Sequence, residues 1–462
     1  MLALAGLGVL SAFFTVASTT LSGNAPLVRF PKKSVQIIVR KGKNSEETEK
    51  ASLRELLETR CPSLFTAFSP AWWLFNGHLQ TFYCVLGDFT KIDHVLYRRK
   101  YLRLADGGTL GLDFTPASND ASWLRDNTPI IVVKHGLTGG SYEAYIRAIL
   151  SRACASVEDG GLGYRAVVVN FRGCASVPIT SPQLYSAGHT DDLRQALIYI
   201  SNMYPKAPLL GIGFSLGANV MTRYLAEEGE MSRIRSCCTM SCPWDLARNN
   251  KEILSTYFGR HIYSKGMGTN LLNLVKKHCD GLTSDPDHIV AKTVPAALAL
   301  NNPTLDQFDS TFTRIAGGSS PPYPFATAHD YYAASSSHDV INDIRVPYLS
   351  INAADDPVVP YVPMEELEND YLVMELTAGG GHLGWFQSQS GLSVDRWTTK
   401  PVLEWLRLSG EDMVHIQVGP RVYTDSEGFL REEGRPHIGC KLFKDGGLID
   451  WTTSQEGILQ GL

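Results

Sequence analysis

A serine between two glycines has the sequence setting in this chain that most favours covalent chemistry. The run Gly213-Phe214-Ser215-Leu216-Gly217 matches the pattern Gly-x-Ser-x-Gly, in which the serine occupies a sharp turn between a strand and a helix. An apolar run precedes it at 209–214, and a helical pattern follows it at 218–225. Glycines beside the serine allow the tight turn without side-chain collisions, so the hydroxyl stands clear of the sheet. We predict that Ser215 is a nucleophile that carries an acyl group.

A serine hydroxyl needs a general base and an acid that orients the base. In this arrangement the expected chain order is serine, acid, histidine. Asp355 and Asp356 follow an apolar run at 346–353, and His382 follows the run 372–376 inside a glycine-rich segment. Both positions are at carboxyl ends of predicted strands, where active sites of open α/β sheets lie. We predict His382 as the base and favour Asp356, which precedes a proline, as the acid, with Asp355 as the alternative.

Backbone N–H groups are expected to complete the site. The run His-Gly-Leu-Thr-Gly-Gly at 135–140 follows an apolar run at 129–134. Its position matches the loop that supplies one donor to the developing oxyanion, while the residue after the nucleophile supplies the other. Each such donor stabilises the transition state by about 3 kcal/mol. We assign the two donors to Leu137 and Leu216.

The elements that would position these residues alternate between strands and helices. Continuous apolar runs of strand length are typical of a parallel sheet that is buried on both faces; they lie at 129–134, 166–170, 209–214, 236–241, 346–353 and 372–376. Helical stretches at 142–152, 190–203 and 219–228 supply the crossovers. A hairpin with its turn at 106–108 precedes them. The sequence predicts an α/β fold with a mostly parallel, doubly wound sheet.

Four segments follow from this pattern. We predict an N-terminal segment at 1–27, an N-terminal extension at 28–96 and a catalytic domain at 97–409. The domain carries an insertion at about 245–340, between two late strands and over the carboxyl edge of the sheet, where a lid would lie. Residues 410–462 are rich in glycine and weakly periodic, which predicts an irregular C-terminal appendage.

The N-terminal segment predicts a membrane location. Residues 2–18 carry no charge, and basic residues follow from Arg29 to Lys43. An uncharged run of this length is near the lower limit for spanning a bilayer, and the distribution of basic residues places the chain after it in the cytosol. We therefore predict a single-pass anchor that brings the protein to a membrane through its N-terminus, with a cytosolic catalytic domain. A cleaved, signal-like segment or a buried segment is the alternative.

Composition excludes some partners. The formal net charge of -5 provides no cationic field for nucleic acid, so we expect no nucleic-acid partner. The nine cysteines show no CxxC spacing of a zinc or redox site. We expect neither a metal nor a cofactor.

The motifs in their order resemble one family. They resemble the YheT-like (AB hydrolase-4) family of α/β-hydrolases, which includes mammalian membrane-anchored ABHD lipases and yeast medium-chain fatty acid ethyl ester synthase/esterases. The resemblance covers about residues 60–408 and is carried by these motifs: Asn76–Thr81, His135–Ser141, Asn170–Cys174, Gly213–Gly217, Asp355–Pro357 and Gly380–Gly384. It implies an α/β-hydrolase fold with a triad that Asp356 and His382 complete. From the residues alone, Asn76–Thr81 has no chemical role, and we expect it to pack near the pocket.

The resemblance also implies the reaction. We expect an acyl-serine intermediate formed from a lipid-like or medium-chain ester, or from acyl-CoA, with water or an alcohol as the acyl acceptor. The leading prediction is a serine esterase; the alternative is an acyl-CoA:alcohol acyltransferase or an acyl or polyketide transferase of a fungal specialised-metabolite pathway. An inactive hydrolase-fold binding protein is a third class. It would lack a triad member, and the sequence contains candidates for all three.

Overall fold

The computed structural model describes residues 25–42, 45–117, 121–365, 368–416 and 418–451. Its strands, in chain order, are β1 (Leu27–Arg29), β2 (Gln36–Arg40), β3 (Thr48–Ser52), β4 (Leu96–Leu104), β5 (Thr109–Thr115), β6 (Ile130–Lys134), β7 (Arg165–Val169), β8 (Leu209–Phe214), β9 (Ile234–Met240), β10 (Tyr348–Ala353), β11 (Leu372–Thr377), β12 (Phe386–Ser390), β13 (Ser393–Arg396), β14 (Val422–Thr424), β15 (Leu430–Glu432) and β16 (Arg435–Asp450). Twelve of them form one sheet, and β2–β3 and β12–β13 form separate hairpins.

The centre of the large sheet is parallel. Strand order is β1-β11-β10-β9-β8-β6-β7-β5-β4-β16-β15-β14, and the pairs from β11 to β7 are all parallel. These six strands correspond to the six apolar runs, and β4 and β5 form the predicted hairpin. The structure confirms the predicted α/β class and the mostly parallel sheet.

Helices cover both faces of this sheet. They are α1 (Leu53–Arg60), α2 (Gly77–Leu86), α3 (Ala144–Ala153), α4 (Asp191–Met203), α5 (Leu216–Glu228), α6 (Leu246–Ser255), α7 (Lys265–Lys277), α8 (Cys279–Leu282), α9 (Ile289–Leu298), α10 (Leu305–Phe308), α11 (Arg314–Ala316), α12 (Ala328–Ser335) and α13 (Thr399–Arg407). Strand β6 illustrates the two layers, because Ile130 and Val132 pack into one apolar core and Ile131 and Val133 into the other. Alternate side chains of a strand point to opposite faces. A continuous apolar run is therefore the expected pattern here.

Helices α6–α12 form the insertion between β9 and β10. Two π-helical turns, Gly259–Ser264 and Asp309–Thr313, interrupt the helices. The insertion packs on the carboxyl-end side of the sheet, and its side chains line a cavity together with Ser215. The role of this segment as a lid stays a prediction.

The C-terminal segment corrects one prediction. Residues after 409 are not an irregular appendage in their described part, because β16 pairs with β4 from Cys440 to Asp450 and β15 and β14 follow at the sheet edge. Register shifts between Leu442 and Lys444 and between Asp445 and Gly447 interrupt the alternation of β16, as β-bulges do. The interrupted alternation hides the strand in the sequence.

The membrane prediction is also corrected. No helix among the described residues is long and apolar enough to cross a bilayer. The longest have 13 residues, or about 20 Å at 1.5 Å per residue, against a hydrocarbon core of about 30 Å. The predicted single-pass location is therefore wrong on this finding, and residues 2–18, on which it depended, lie outside the described residues.

Candidate active site

Ser215 lies at the turn between β8 and α5 in a strained backbone conformation. Its φ of 49° and ψ of -122° fall in a region that side-chain-bearing residues rarely adopt. A Cβ on Gly217 would lie 2.3 Å from the carbonyl oxygen of Lys134, and a Cβ on Gly213 would lie 2.6 Å from Cα of Ala218. Only glycine fits at either position. The two glycines of the Gly-x-Ser-x-Gly pattern are therefore there because the turn leaves no space for a side chain at either position.

Three predicted residues meet in one hydrogen-bonded chain. His382 Nε2 lies 2.9 Å from Ser215 Oγ, and His382 Nδ1 lies 2.9 Å from Asp356 Oδ2. All three side chains are buried. A histidine that accepts a proton from serine while a carboxylate holds its other nitrogen is the arrangement that activates a serine hydroxyl.

The other carboxyl oxygen of Asp356 is also engaged. Asp356 Oδ1 accepts hydrogen bonds from the backbone N–H groups of Val358, at 2.8 Å, and Val359, at 2.9 Å. These two donors hold the carboxylate in one orientation, with Oδ2 directed at the imidazole. The loop after β10 therefore sets the position of His382 as well as of its own aspartate.

Asp355 has a different partner. Its Oδ1 accepts the backbone N–H of Gly381 at 2.9 Å and makes no hydrogen bond to the imidazole of His382. Burial, followed by the charge of Asp356, raises the pKa of Asp355 to about 6, although the Gly381 N–H opposes this shift. The geometry thus separates the two candidates: Asp356 contacts the imidazole, and Asp355 holds the backbone next to it.

The Asn76–Thr81 motif positions the loop that carries His382. Thr81 Oγ1 accepts the backbone N–H of His382 at 2.8 Å and donates to the carbonyl of Gly77 at 2.6 Å. Gly77 packs against Asp355 so closely that a Cβ would lie 1.9 Å from the Asp355 carbonyl oxygen. One turn of α2 therefore contacts both the histidine loop and the aspartate loop.

Gln80 of the same motif binds the chain after His382. Its Oε1 accepts the N–H of Phe386 at 2.7 Å, and its Nε2 donates to the Phe386 carbonyl at 3.0 Å. Asn76 caps α2 by accepting the N–H of Leu79. Sequence reasoning missed this role. The motif itself was the signal, but its partners lie about 300 residues away in the chain.

Two tyrosine hydroxyls hold the glycine-rich loop after β6. The N–H of Gly136 donates to Tyr145 at 3.1 Å, and the N–H of Thr138 donates to Tyr185 at 3.0 Å. Between them, the N–H of Leu137 donates no hydrogen bond to any part of the chain that the structure describes. The loop is thus held at both neighbours of the predicted donor, and the donor itself is left available.

Leu216 begins α5, so its N–H has no partner within the helix. Within the described ranges it donates to no other group. Leu137 and Leu216 both line the cavity that contains Ser215. The two assigned donors therefore border the same cavity as the candidate nucleophile, and Leu216 lies at the positive end of α5.

Ser215 lies at a cavity that, together with the solvent-open space at its mouth, contains about 740 Å³ of empty space. Most of its walls are apolar and come from the insertion and from the loop after Asp356; these residues are Leu246, Ile253, Met267, Leu271, Leu305, Val358 and Val359. A cavity with mostly apolar walls is suited to the hydrocarbon part of a ligand.

Comparison with protein families agrees with this geometry. The sequence model of the family described as the α/β-hydrolase fold matches residues 129–387, which is more than half of the chain. This chain belongs to the α/β-hydrolase family. The match includes Ser215, Asp356 and His382 and the whole insertion.

Three curated relatives are named as a lipase, an ester synthase/esterase and a phospholipase. Monoacylglycerol lipase of Saccharomyces cerevisiae is 31% identical over 80% of this α/β-hydrolase and 87% of the relative. Medium-chain fatty acid ethyl ester synthase/esterase 2 of the same yeast is 29% identical over 72% and 84%. Phospholipase ABHD3 of Mus musculus is 29% identical over 73% and 77%. The relatives confirm the predicted resemblance and the predicted class, an ester hydrolase.

Proposed function

We propose that this α/β-hydrolase cleaves carboxylic esters of lipid-like or medium-chain acyl groups through an acyl-Ser215 intermediate. The observation that carries the proposal is the continuous hydrogen-bonded chain from Ser215 through His382 to Asp356 at the wall of an apolar cavity. The esterase and lipase names of the relatives support the same class.

The proposed reaction has two halves. Ser215 Oγ attacks the ester carbonyl while its proton passes to His382 Nε2, and the N–H groups of Leu137 and Leu216 stabilise the oxyanion. His382 then donates the proton to the alkoxy oxygen, the carbon–oxygen bond breaks, and the alcohol leaves. Water attacks the acyl carbonyl, its proton passes to His382 and then to Ser215 Oγ, and the carboxylic acid is released.

The proposed substrate class follows from the cavity. Each methylene group that leaves water for an apolar wall contributes about 0.8 kcal/mol. A chain of several methylenes that packs against the apolar walls of the cavity therefore gains enough binding free energy to distinguish a medium-chain ester from a short one. We expect kcat/KM to rise with acyl length until the cavity is full.

Transfer to an alcohol is a second candidate, because one relative is named as an ester synthase as well as an esterase. The two reactions share the acyl-serine intermediate and differ only in whether water or an alcohol resolves it. Incubation with a medium-chain acyl-CoA plus ethanol or glycerol separates them. Free acid as the sole product would exclude a dominant transferase activity.

The nucleophile is tested with Ser215→Ala. We expect the variant to lose labelling by a fluorophosphonate probe and turnover of p-nitrophenyl esters. Ser236→Ala is the matched control, because Ser236 is a buried serine of the neighbouring strand β9 whose hydroxyl has no hydrogen-bond partner in the described chain. Labelling that persists in Ser215→Ala would move the nucleophile to another residue.

A further inference from the structure

Two buried polar side chains of the insertion line the mostly apolar cavity. Asn249 is on α6, and Asp309 is the first residue of the π-helical turn after α10. Each residue is 4% exposed, and both line the same cavity as Ser215. Neither belongs to a motif noted in the sequence. The mechanism described above uses neither of them.

The amide oxygen of Asn249 has no hydrogen-bond partner in the described residues. A buried amide oxygen without a donor costs about 1–3 kcal/mol. The adjacent Asn250 also lines the cavity, but its amide donates to Asp306 Oδ1 at 2.9 Å. Of these two amides, Asn249 is therefore the one whose oxygen can accept a hydrogen bond from a ligand.

Asp309 is a buried carboxyl whose neighbours are hydroxyl groups. Its Oδ2 accepts the Tyr332 hydroxyl at 2.8 Å. Burial raises the pKa of Asp309 to about 7, and the groups that oppose this rise are the hydroxyls of Thr313 and Tyr332 rather than a basic side chain. Near neutral pH a large share of the carboxyl groups therefore carries a proton and can donate a hydrogen bond as well as accept one.

We propose that Asn249 and Asp309 form a polar subsite that binds a hydroxyl group of the ester substrate inside the cavity. A hydroxyl donates one hydrogen bond and accepts others, so it can satisfy an amide oxygen and a carboxyl together. An ester without such a group leaves the buried Asn249 amide oxygen without a donor, which is how a site built for a hydroxyl discriminates against the analogue lacking it. The inference rests on the proposed ester hydrolase function, since it assigns the specificity of the same cavity.

The hydroxyl can belong to the acyl chain or to the alcohol, and two substrate pairs distinguish these sources. The first pair is 1-decanoylglycerol and propyl decanoate, which differ in the hydroxyls of the alcohol. The second pair is methyl 10-hydroxydecanoate and methyl decanoate, which differ in a hydroxyl of the acyl chain. The experiment measures kcat/KM for all four esters with the full-length enzyme, as soluble monomers below their aggregation concentrations.

The variants are Asn249→Leu and Asp309→Leu, with Asp309→Asn as a smaller change that preserves shape. We expect the unsubstituted enzyme to prefer the hydroxyl-bearing ester of one pair by about tenfold or more. Asn249→Leu and Asp309→Leu should reduce this preference to about twofold while hydrolysis of the plain ester continues. Asn250→Ala is the matched control, and it should change both esters of a pair equally because its amide is already bonded to Asp306.

Two results would overturn the subsite. One is an unsubstituted enzyme that shows no preference in either pair, and the other is a preference that survives both Asn249→Leu and Asp309→Leu. In both cases Ser215-dependent hydrolysis of the plain esters would leave the proposed function intact. If the unsubstituted enzyme hydrolysed none of the four esters, the proposed function itself would fail.

Discussion

Replacing each of the two adjacent aspartates with asparagine tests the catalytic geometry most directly. In Asp356→Asn, the amide oxygen must face the N–H groups of Val358 and Val359, which donate to Oδ1 of the aspartate at 2.8 and 2.9 Å. The amide NH2 then faces His382 Nδ1. Because NH2 can only donate, the imidazole must accept at Nδ1 and carry its proton on Nε2. That tautomer cannot take the proton of Ser215.

The expected loss of kcat follows from the free-energy cost of turning the new amide the other way, which is the alternative in Asp356→Asn. Keeping the productive tautomer requires the amide to turn, so that its NH2 opposes the two backbone donors. Each buried donor left unsatisfied costs about 1–3 kcal/mol, which gives about 2–6 kcal/mol for the pair. At about 1.4 kcal/mol per factor of ten, we expect kcat to fall by at least about 30-fold and at most about 10⁴-fold.

Asp355→Asn is the matched control. An asparagine oxygen can still accept the N–H of Gly381, which Asp355 Oδ1 accepts at 2.9 Å, so we expect kcat within about tenfold of the unsubstituted enzyme. The assay is steady-state hydrolysis of p-nitrophenyl butyrate together with the rate of fluorophosphonate labelling, and circular dichroism checks folding. A larger loss in Asp355→Asn than in Asp356→Asn would refute the assignment of the acid.

Three further changes test groups around the site and in the core. Thr81→Val leaves the buried N–H of His382 without its acceptor, so kcat for p-nitrophenyl butyrate should fall about tenfold or more. Thr81→Ser keeps the hydroxyl, and its kcat should stay near the unsubstituted value. Equal losses in the two variants would exclude the hydroxyl as the cause. Tyr185→Phe removes the acceptor of the Thr138 N–H, and we expect kcat to fall several-fold with KM nearly constant; a change in KM alone would instead indicate a role in substrate binding. Burial raises the pKa of Glu375 well above its ordinary value of 4.5. Above about pH 4.5 the unfolded chain therefore releases a proton that the folded chain keeps. Because of this difference, the free energy of unfolding falls as the pH rises. Glu375→Gln should therefore stabilise the protein more at pH 8 than at pH 5 in urea unfolding, and an equal effect at both pH values would contradict this reasoning.

Local residue patterns account for the centre of the fold. The six parallel strands are buried on both faces, and such strands consist of consecutive apolar residues, so each run is visible without knowledge of its neighbours. The elbow is equally visible in the sequence, because its pattern lies within five residues, although the steric limit on Gly217 comes from Lys134 at the end of the adjacent strand β6. Strand ends then placed Asp356 and His382 at one edge of the sheet.

Contacts between distant segments account for the residue roles and the strand that sequence reasoning missed. The roles of Thr81 and Gln80 depend on partners about 300 residues away, and no local pattern specifies such a pairing. Strand β16 likewise pairs with β4 across most of the chain, and its bulges interrupt the alternation that would have revealed it. Long-range pairing is a property of the folded chain and not of a sequence window.

The sequence by itself determined the candidates for the proposed chemistry: a serine on a glycine-bounded turn as nucleophile, a histidine as base and one of two neighbouring aspartates as the acid. Only the tertiary structure decided the rest. It directs Asp356 rather than Asp355 at the imidazole, and it brings Asn249 and Asp309 of the insertion to one cavity with Ser215. The reason is physical: a residue type and its local turn limit which reaction a side chain can perform, whereas orientation, burial and unpaired hydrogen-bonding capacity depend on atoms that come together only on folding.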